Sequence, residues 1–236
     1  MANSDRSLSE ITRLGTRQDV QIRLSSMSNH FLKVCTWITE NYKRTERSVT
    51  LFNLLSSSSA YLHVAATNLE NHGSVLALCT RNLYELNLRV RHVLSSEQNM
   101  QSWQAEAFAD KIQVLEGILQ LETLSDNLEQ KSLLRSEINR LQNVVKKYRL
   151  PNIKKIPTTS SIAEAVGKTN EYKAHFKLFS KLVHPSSYLV NSYPDAFSSE
   201  FERILQIHLQ LYAFDLFHRI CDDLSVPESV WELKLE

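Results

Sequence analysis

The chain contains few residues that break a helix. Among its 236 residues there are 4 glycines and 5 prolines, whereas a β-rich protein needs these residues at many of its turns. Hydrophobic residues make up 42% of the chain, which is enough to build a core. The sequence therefore predicts an all-α protein, a bundle of about seven helices.

Apolar residues recur at helical spacing along most of the chain. The clearest case is the segment of about 74–94, in which apolar positions step by three or four residues: Leu76, Cys79, Leu83, Leu86, Val90 and Val93. Similar periodicity predicts helices over about 19–44, 45–71, 97–122 and 126–149. The last two are charged on their other faces, so 97–150 is predicted to be a hairpin insertion.

The C-terminal third is predicted to hold two further helices after a loop at 151–160. Ser161 and Glu164 form an S-x-x-E pattern that is typical of a helix start, and Pro185 favours an end at His184. The helix of about 195–224 is apolar on nearly every side, which indicates the middle of the bundle or a dimer interface. Residues 1–16 are expected to be frayed or disordered, and 17–236 to form a single domain.

Composition argues against several classes of protein. The formal net charge is +1, so no general basic field attracts nucleic acid. The three cysteines Cys35, Cys79 and Cys221 lack metal-ligand spacing, which favours reduced thiols and a cytoplasmic location. No apolar run of about 20 residues is present, so no membrane contact is expected. Without a glycine-rich loop or a Glu-x-x-His pair, no metal and no cofactor is predicted.

A second stripe on the helix of 74–94 carries charged residues between leucines. Arg81 and Glu85 lie there with Leu78, Leu88 and His92, again at steps of three and four. Charges beside apolar neighbours need partners. Since Arg before Glu is the weaker order for a pair within one helix, we expect partners from another helix.

The predicted helix of 161–184 offers such partners on one face. Tyr172, Phe176, Ser180 and His184 follow one another at steps of four, and three lysines run along the adjacent line: Lys173, Lys177 and Lys181. Two interpretations of a cluster of these residues with Arg81 and Glu85 stay open. It is a buried polar network that fixes helix register, or a catalytic site in which His184 moves protons and Arg81 holds an anion.

Two segments carry a resemblance to a known family. RNLYELNLRVRHVL (81–94) and EYKAHFKLFSKLVHPSSYLV (171–190) resemble a bacterial helical family of unknown function, in which an Arg-x-x-x-Glu helix accompanies a later Tyr…Ser-x-x-x-His helix. The resemblance covers roughly residues 50–220. It implies an α-helical fold and a shared polar cluster but no established reaction. The positions it implies are Arg81, Glu85, Tyr172, Ser180 and His184, with weaker matches at Ser187 and Tyr188.

Two further patterns suggest RNA. Arg203 and His208 fit the Arg-x4-6-His motif of HEPN-type ribonuclease toxins, to which the similarity is distant, and Arg23 and His30 fit it as well. A structural interpretation has His208 in a core network.

A basic run is either a phosphate-binding patch or a solvated helix end, and its members are Lys146, Lys147, Arg149, Lys154 and Lys155.

These patterns support two hypotheses about function. The first is a non-catalytic intracellular module that binds a protein partner or forms a homodimer through the helix of 195–224. The second is an RNA- or nucleotide-directed hydrolase with a defence or toxin role, in which His184 and Arg81 act on the substrate. Solvent access to the polar cluster separates them, because a catalytic cluster opens onto a pocket and a structural one is sealed between helices.

Overall fold

The computed structural model describes residues 11–69, 72–121, 127–153 and 155–231, and these residues form helices and no strand. The predicted all-α class is therefore confirmed. In chain order the helices are α1 (Arg17–Asn41), α2 (Glu46–Asn68), α3 (Gly73–Ser95), α4 (Glu97–Leu119), α5 (Leu128–Lys147), α6 (Thr159–Ala165), α7 (Thr169–Leu182), α8 (Ser187–Asn191), α9 (Tyr193–Ala196), α10 (Ser199–Asp223) and α11 (Glu228–Trp231). Every one of these helices is too short or too polar to cross a lipid bilayer.

The chain divides into two compact units. The first unit comprises Met1–His92 and Thr159–Glu236, and the second comprises Val93–Thr158. The predicted single domain over 17–236, with 97–150 as a hairpin insertion, stays a prediction. Most of the predicted frayed N-terminus lies outside the described residues. Within its described part, the Arg13 backbone exchanges hydrogen bonds of 2.8 and 3.1 Å with the side chain of Gln210.

Helix α10 lies in the core of the first unit. Its buried residues include Leu209, Ala213 and Phe217, and the Phe217 ring stacks on Phe31 of α1 at a centroid distance of 4.6 Å. Burial within the unit accounts for the apolar character of this helix. A homodimer through 195–224 stays a prediction.

Helices α1 and α2 approach each other through serines. The hydroxyl of Ser28 donates to the carbonyl of Ser59 at 3.0 Å, and the hydroxyl of Ser59 donates to the carbonyl of Ser28 at 3.0 Å. Both serines are buried. Part of the serine run at 56–59 is therefore a packing face made of small residues.

The prediction of one helix over 161–184 is wrong. Helix α6 begins at Thr159, so the predicted start at Ser161 is also wrong, and the helical path is interrupted after Ala165. Gly167 takes a φ of 70°, which glycine adopts without steric cost, and the Lys168 N–H bonds to the Ala163 carbonyl at 2.7 Å. The chain then resumes as α7, which ends at Leu182, before His184.

The second unit contains α4 and α5, which pack together and are joined by an ion pair of 2.8 Å between Lys111 and Glu137. The apolar residues that recur at helical spacing over 97–122 are not all covered. Val114 and Leu121 are 61% and 55% exposed, while Met100 and Ala105 are buried instead. Helical spacing alone did not identify which side of this helix is covered.

Candidate functional site

The side chains of Arg81 and Glu85 form an ion pair on one face of α3. Residues four apart lie one above the other on a helix, and the Arg81 Nε donates to Glu85 Oε1 at 2.8 Å. About a third of each side chain is exposed, 32% for Arg81 and 34% for Glu85. The pair is therefore close to solvent.

His184, in the later segment of the first unit, contacts Arg81 of this pair. It lies two residues beyond the end of α7, in a turn where the Ser186 hydroxyl donates to the Lys181 carbonyl at 2.8 Å. The Arg81 Nη1 and His184 Nε2 atoms are 3.2 Å apart. Because a guanidinium has only donors, Nε2 is the acceptor in this contact. The expected meeting of Arg81 and His184 is thus observed.

These three side chains lie at a concave pocket with a volume of about 140 Å³. All five residues of the predicted cluster contribute to its wall, together with a threonine and three aromatic side chains. The lining residues are Arg81, Tyr84, Glu85, Thr159, Tyr172, Phe176, Phe179, Ser180 and His184. The expectation of a buried cluster is wrong, since His184 is exposed and the Arg81–Glu85 pair is only part-buried. We call these nine residues the Arg81 pocket.

Two of the predicted residues contribute to the wall without joining the ion pair. The Ser180 hydroxyl donates to the Lys177 carbonyl of its own helix at 3.1 Å, so it is not activated by a neighbouring base. Tyr172 packs against Phe176 with ring centroids 5.8 Å apart, and Phe176 is 57% exposed. The weaker matches Ser187 and Tyr188 lie in α8 and do not line the pocket.

Tyr84 is a pocket residue that the sequence pattern did not reveal. Only 2% of it is exposed, and its ring packs against His175 and Tyr212 at centroid distances of 4.7 and 4.9 Å. Burial raises the pKa of its hydroxyl well above the ordinary value, and the charges of Glu171 and Glu85 raise it further. A tyrosine between Arg81 and Glu85 was the available signal, but such a residue is typical of an ordinary core aromatic.

Behind the pocket lies a buried group of polar aromatic residues. The Tyr212 hydroxyl donates to Glu171 Oε1 at 2.9 Å and accepts a hydrogen bond from His175 Nε2. Burial lowers the pKa of His175, and the charge of His208 lowers it further. Burial favours the neutral form of Glu171, but bonds from Lys168 and Tyr212 outweigh it and lower the pKa of this carboxyl.

His208 belongs to this inner group. Its ring packs on His175 at 5.1 Å, and its Nδ1 bonds to the Ile204 carbonyl at 2.8 Å. Arg203 is exposed and lies five residues before His208, which corresponds to about 140° of rotation on a helix. The two side chains therefore leave different faces of α10. A catalytic role for Arg203 and His208 stays a prediction.

The predicted basic run lies in the second unit. Lys146, Lys147, Arg149 and Lys155 were all predicted to be solvated or to bind phosphate, and Lys154 lies outside the described residues. Lys146 and Lys147 occupy the last turn of α5, where positive charge suits the helix dipole. Binding of phosphate by this run stays a prediction.

The three cysteines are free thiols in the core. Cys35, Cys79 and Cys221 are buried and not in disulfides, and burial raises the pKa of Cys35 to about 12. Over the described ranges, no three His, Cys, Asp or Glu side chains are grouped so that they could hold a metal ion.

Residues 52–201 match a family of unknown function (DUF5677). The match covers more than half of the chain, so the protein belongs to this family. It includes the whole Arg81 pocket. No curated protein and no solved structure matches the chain.

Proposed function

We propose that the protein is an RNA-directed hydrolase that binds the phosphate of its substrate with Arg81 and moves protons with His184. The single observation that supports this proposal is the 3.2 Å contact between Arg81 Nη1 and His184 Nε2 at an open pocket. A guanidinium recognises phosphate oxygens, and an unprotonated imidazole nitrogen can accept a proton. The two groups needed for phosphoryl chemistry therefore stand together where a ligand can reach them.

An RNA substrate makes a protein nucleophile unnecessary. In RNA the ribose 2′-hydroxyl can attack the adjacent phosphorus, so no serine of the enzyme is needed. When Arg81 turns from His184 to the phosphate, the released Nε2 takes the proton of the 2′-hydroxyl, the new O–P bond forms and the bond from phosphorus to the 5′-oxygen breaks. The leaving 5′-oxygen takes a proton from water, and the hydroxide that is left takes back the proton held by His184. The products of this step are a 2′,3′-cyclic phosphate and a 5′-hydroxyl, and opening of the cyclic phosphate by water completes the hydrolysis.

The surface of α7 supports a single-stranded nucleic acid as ligand. Aromatic and cationic residues alternate along this helix, with Tyr172 and Phe176 at the pocket and exposed lysines beside them at 173, 177 and 181. Aromatic rings stack on bases, and lysines attract the phosphate backbone. Both contacts are largely independent of base sequence, so we expect weak sequence preference.

The test is cleavage of a fluorescently labelled single-stranded RNA by purified protein. His184→Ala is expected to reduce the rate by about 100-fold or more, the usual loss for a general base. Because His184 is exposed, the melting temperature of this variant should stay within about 2 °C of the wild type. His63→Ala is the matched control, since His63 is an exposed histidine of α2 outside the pocket. Equal cleavage by His184→Ala and wild type would contradict the proposal.

A defence or toxin role has its own test. If the RNA substrate is the cell's own, inducing the wild-type chain should slow growth and inducing His184→Ala should not. Equal growth with both, at equal protein levels, would argue against this role while leaving cleavage to be judged by the assay above.

A non-catalytic homodimer is the second candidate, and the exposed apolar residues of the second unit favour it. Val114 in α4 and Leu133 in α5 are 61% and 64% exposed, and Leu128 is 79% exposed. Two such hairpins can cover one another as a four-helix bundle. Light scattering across a concentration series should then give a dimer for the wild type and a monomer for Val114→Lys with Leu133→Lys. A wild-type monomer at all concentrations would exclude this candidate.

A further inference from the structure

The hydroxyl of Tyr84 is a buried hydrogen-bonding group without a partner among the described residues. Less than 1 Å² of this oxygen is accessible, and no atom of those residues lies within hydrogen-bonding distance in a suitable geometry. Leaving such a group unpaired destabilises the folded state, and native proteins keep few of them. This tyrosine therefore requires an explanation beyond packing.

A neighbouring tyrosine shows that the same region can satisfy a buried phenol. The Tyr212 ring is 4.9 Å from that of Tyr84, and its hydroxyl is bonded both to Glu171 and to His175. Tyr84 has no equivalent bond although it packs on the same His175 ring. The missing partner is thus specific to Tyr84.

The position of Tyr84 indicates where a partner would come from. Its side chain lines the Arg81 pocket, so a ligand bound there lies against the same residue. Less than 1 Å² of the hydroxyl oxygen is accessible, so a pocket side chain has to move aside before a ligand reaches it.

We propose that Tyr84 is a ligand-binding residue whose hydroxyl donates a hydrogen bond to a non-bridging oxygen of the bound phosphate. The inference rests on the proposed function and adds a neutral donor to the positive charge of Arg81. Glu85 accepts from Arg81 Nε and His184 Nε2 accepts from Nη1, which leaves Nη2 as a further donor of the guanidinium. Arg81 and Tyr84 would then hold the phosphate from two sides while Nε2 of His184 faces the 2′-hydroxyl.

The variant Tyr84→Phe tests this inference because it removes one oxygen and keeps the ring. If the hydroxyl has no protein partner, its loss should leave the melting temperature unchanged or raise it. Binding of phosphate should weaken by about tenfold or more, as expected for a lost hydrogen bond to a charged group. Two probes are used in calorimetric titrations, an RNA oligonucleotide with one 2′-deoxy position and inorganic phosphate.

Tyr212→Phe is the matched control. Its hydroxyl is bonded to Glu171 and His175, so this variant should lower the melting temperature and leave the affinity for the oligonucleotide within about twofold. A fall in the melting temperature of Tyr84→Phe as large as that of Tyr212→Phe would overturn the inference, because it would mean that Tyr84 has a partner inside the protein.

The outcomes also separate this inference from the proposed function. If Arg81→Ala loses binding of both probes and Tyr84→Phe retains it, the role of Tyr84 is wrong and the proposed function stands. If wild type binds neither probe, or Arg81→Ala binds like wild type, the proposed function fails and the inference fails with it. Loss of binding in both variants with an unchanged melting temperature of Tyr84→Phe supports both.

Discussion

Two of the arginines of helix α3, Arg81 and Arg91, are in opposite situations. Arg91 donates to Asn87 Oδ1 at 3.0 Å and to Asp215 Oδ2 at 2.8 Å, so its partners come from its own helix and from α10. Arg81 is paired with Glu85 on its own helix and with the exposed His184 at the edge of a pocket. Both arginines lie one helical turn from a polar residue, and their sequence context alone does not distinguish them.

The difference lies in how the acceptors and donors are matched. Asp215 also accepts from Arg219 at 2.8 and 3.1 Å and from Asn87 at 2.7 Å, so its two oxygens serve three side chains. We call Asn87, Arg91, Asp215 and Arg219 the Asp215 cluster. The members of this cluster bond to one another, whereas the Arg81 pocket contains the hydroxyl of Tyr84, which has no hydrogen-bond partner in the described part of the chain. A polar cluster that is closed on itself stabilises the fold, and one left incomplete suits a ligand.

The largest expected effect is on catalysis by Arg81→Ala. Removing the guanidinium should lower RNA cleavage by about 100-fold or more, because an electrostatic contact to the phosphate is lost. The melting temperature should change by no more than about 3 °C, since a part-exposed ion pair contributes little to stability. The measurement is single-turnover cleavage beside a thermal melt, and a variant that cleaves normally would break the proposed distinction between the two arginines.

Asp215→Ala should have the opposite profile. It removes the carboxylate that accepts from both Arg91 and Arg219, and the expected cost is about 1–3 kcal/mol of unfolding free energy. For a chain of this size, each kcal/mol lowers the melting temperature by about 2–4 °C. Cleavage per folded molecule should match the wild type below the melting transition. A stable Asp215→Ala protein with lost cleavage would reverse the assignment of the two clusters.

The stabilisation by Asp215 should depend on pH. Burial favours its neutral form, but the bonds from Arg219 and Asn87 and the charge of Arg91 outweigh this, so the pKa of this carboxyl lies below its usual range. A lowered folded pKa contributes stability above the unfolded value, and that stability is lost as the pH falls through the folded value. The stability difference between wild type and Asp215→Asn, measured by urea unfolding, should therefore be smaller at about pH 3 than at about pH 7. A difference that grows towards acid would contradict this sign.

The lysines of α7 give a smaller effect on binding. Changing Lys173, Lys177 and Lys181 together to glutamine should reduce the slope of log affinity against log salt concentration by up to about 2 for single-stranded RNA. The reason is that each phosphate contact releases counterions. Fluorescence anisotropy across a series of salt concentrations measures the slope. An unchanged slope would remove the helix surface from the proposed RNA path while leaving the pocket itself in place.

Gly167→Ala should have the smallest effect. Gly167 has a φ of 70°, and an alanine side chain would meet no atom within 4 Å, so the cost is conformational strain of about 1 kcal/mol. Chemical denaturation measures this change, and Gly117→Ala in α4 is the control, because that helical site favours alanine. A neutral Gly167→Ala would indicate that the turn between α6 and α7 can rearrange.

The sequence predicted the fold class because few helix breakers and steps of three and four residues determine the helices. The meeting of Arg81 with His184 was expected on other grounds, namely that charges beside leucines need partners and that the family resemblance pairs the two segments. The pocket itself depends on how α3 and α7 approach each other, and side-chain spacing does not encode that distance. Tyr84 was missed for this reason, since a phenol gains or lacks a partner only through tertiary contacts.

Two local errors have equally physical causes. Helix α6 begins at Thr159, two residues before the Ser161 start signal. The left-handed conformation of Gly167 then interrupts the helix, and residue spacing does not reveal such a conformation. In α4, apolar spacing predicted a covered face where Val114 is exposed. Periodicity indicates a helix, and only the neighbouring elements determine which of its faces they cover.

The most direct test of the central claim is a nuclear magnetic resonance titration of the histidine side-chain nitrogens with a 2′-deoxy-substituted RNA oligonucleotide. We expect the Nε2 signal of His184 to shift on titration in the wild type and to stay unchanged in Arg81→Ala, while His63 does not respond in either protein. A His184 signal that is unaffected by the oligonucleotide, or that responds equally without Arg81, would contradict the account.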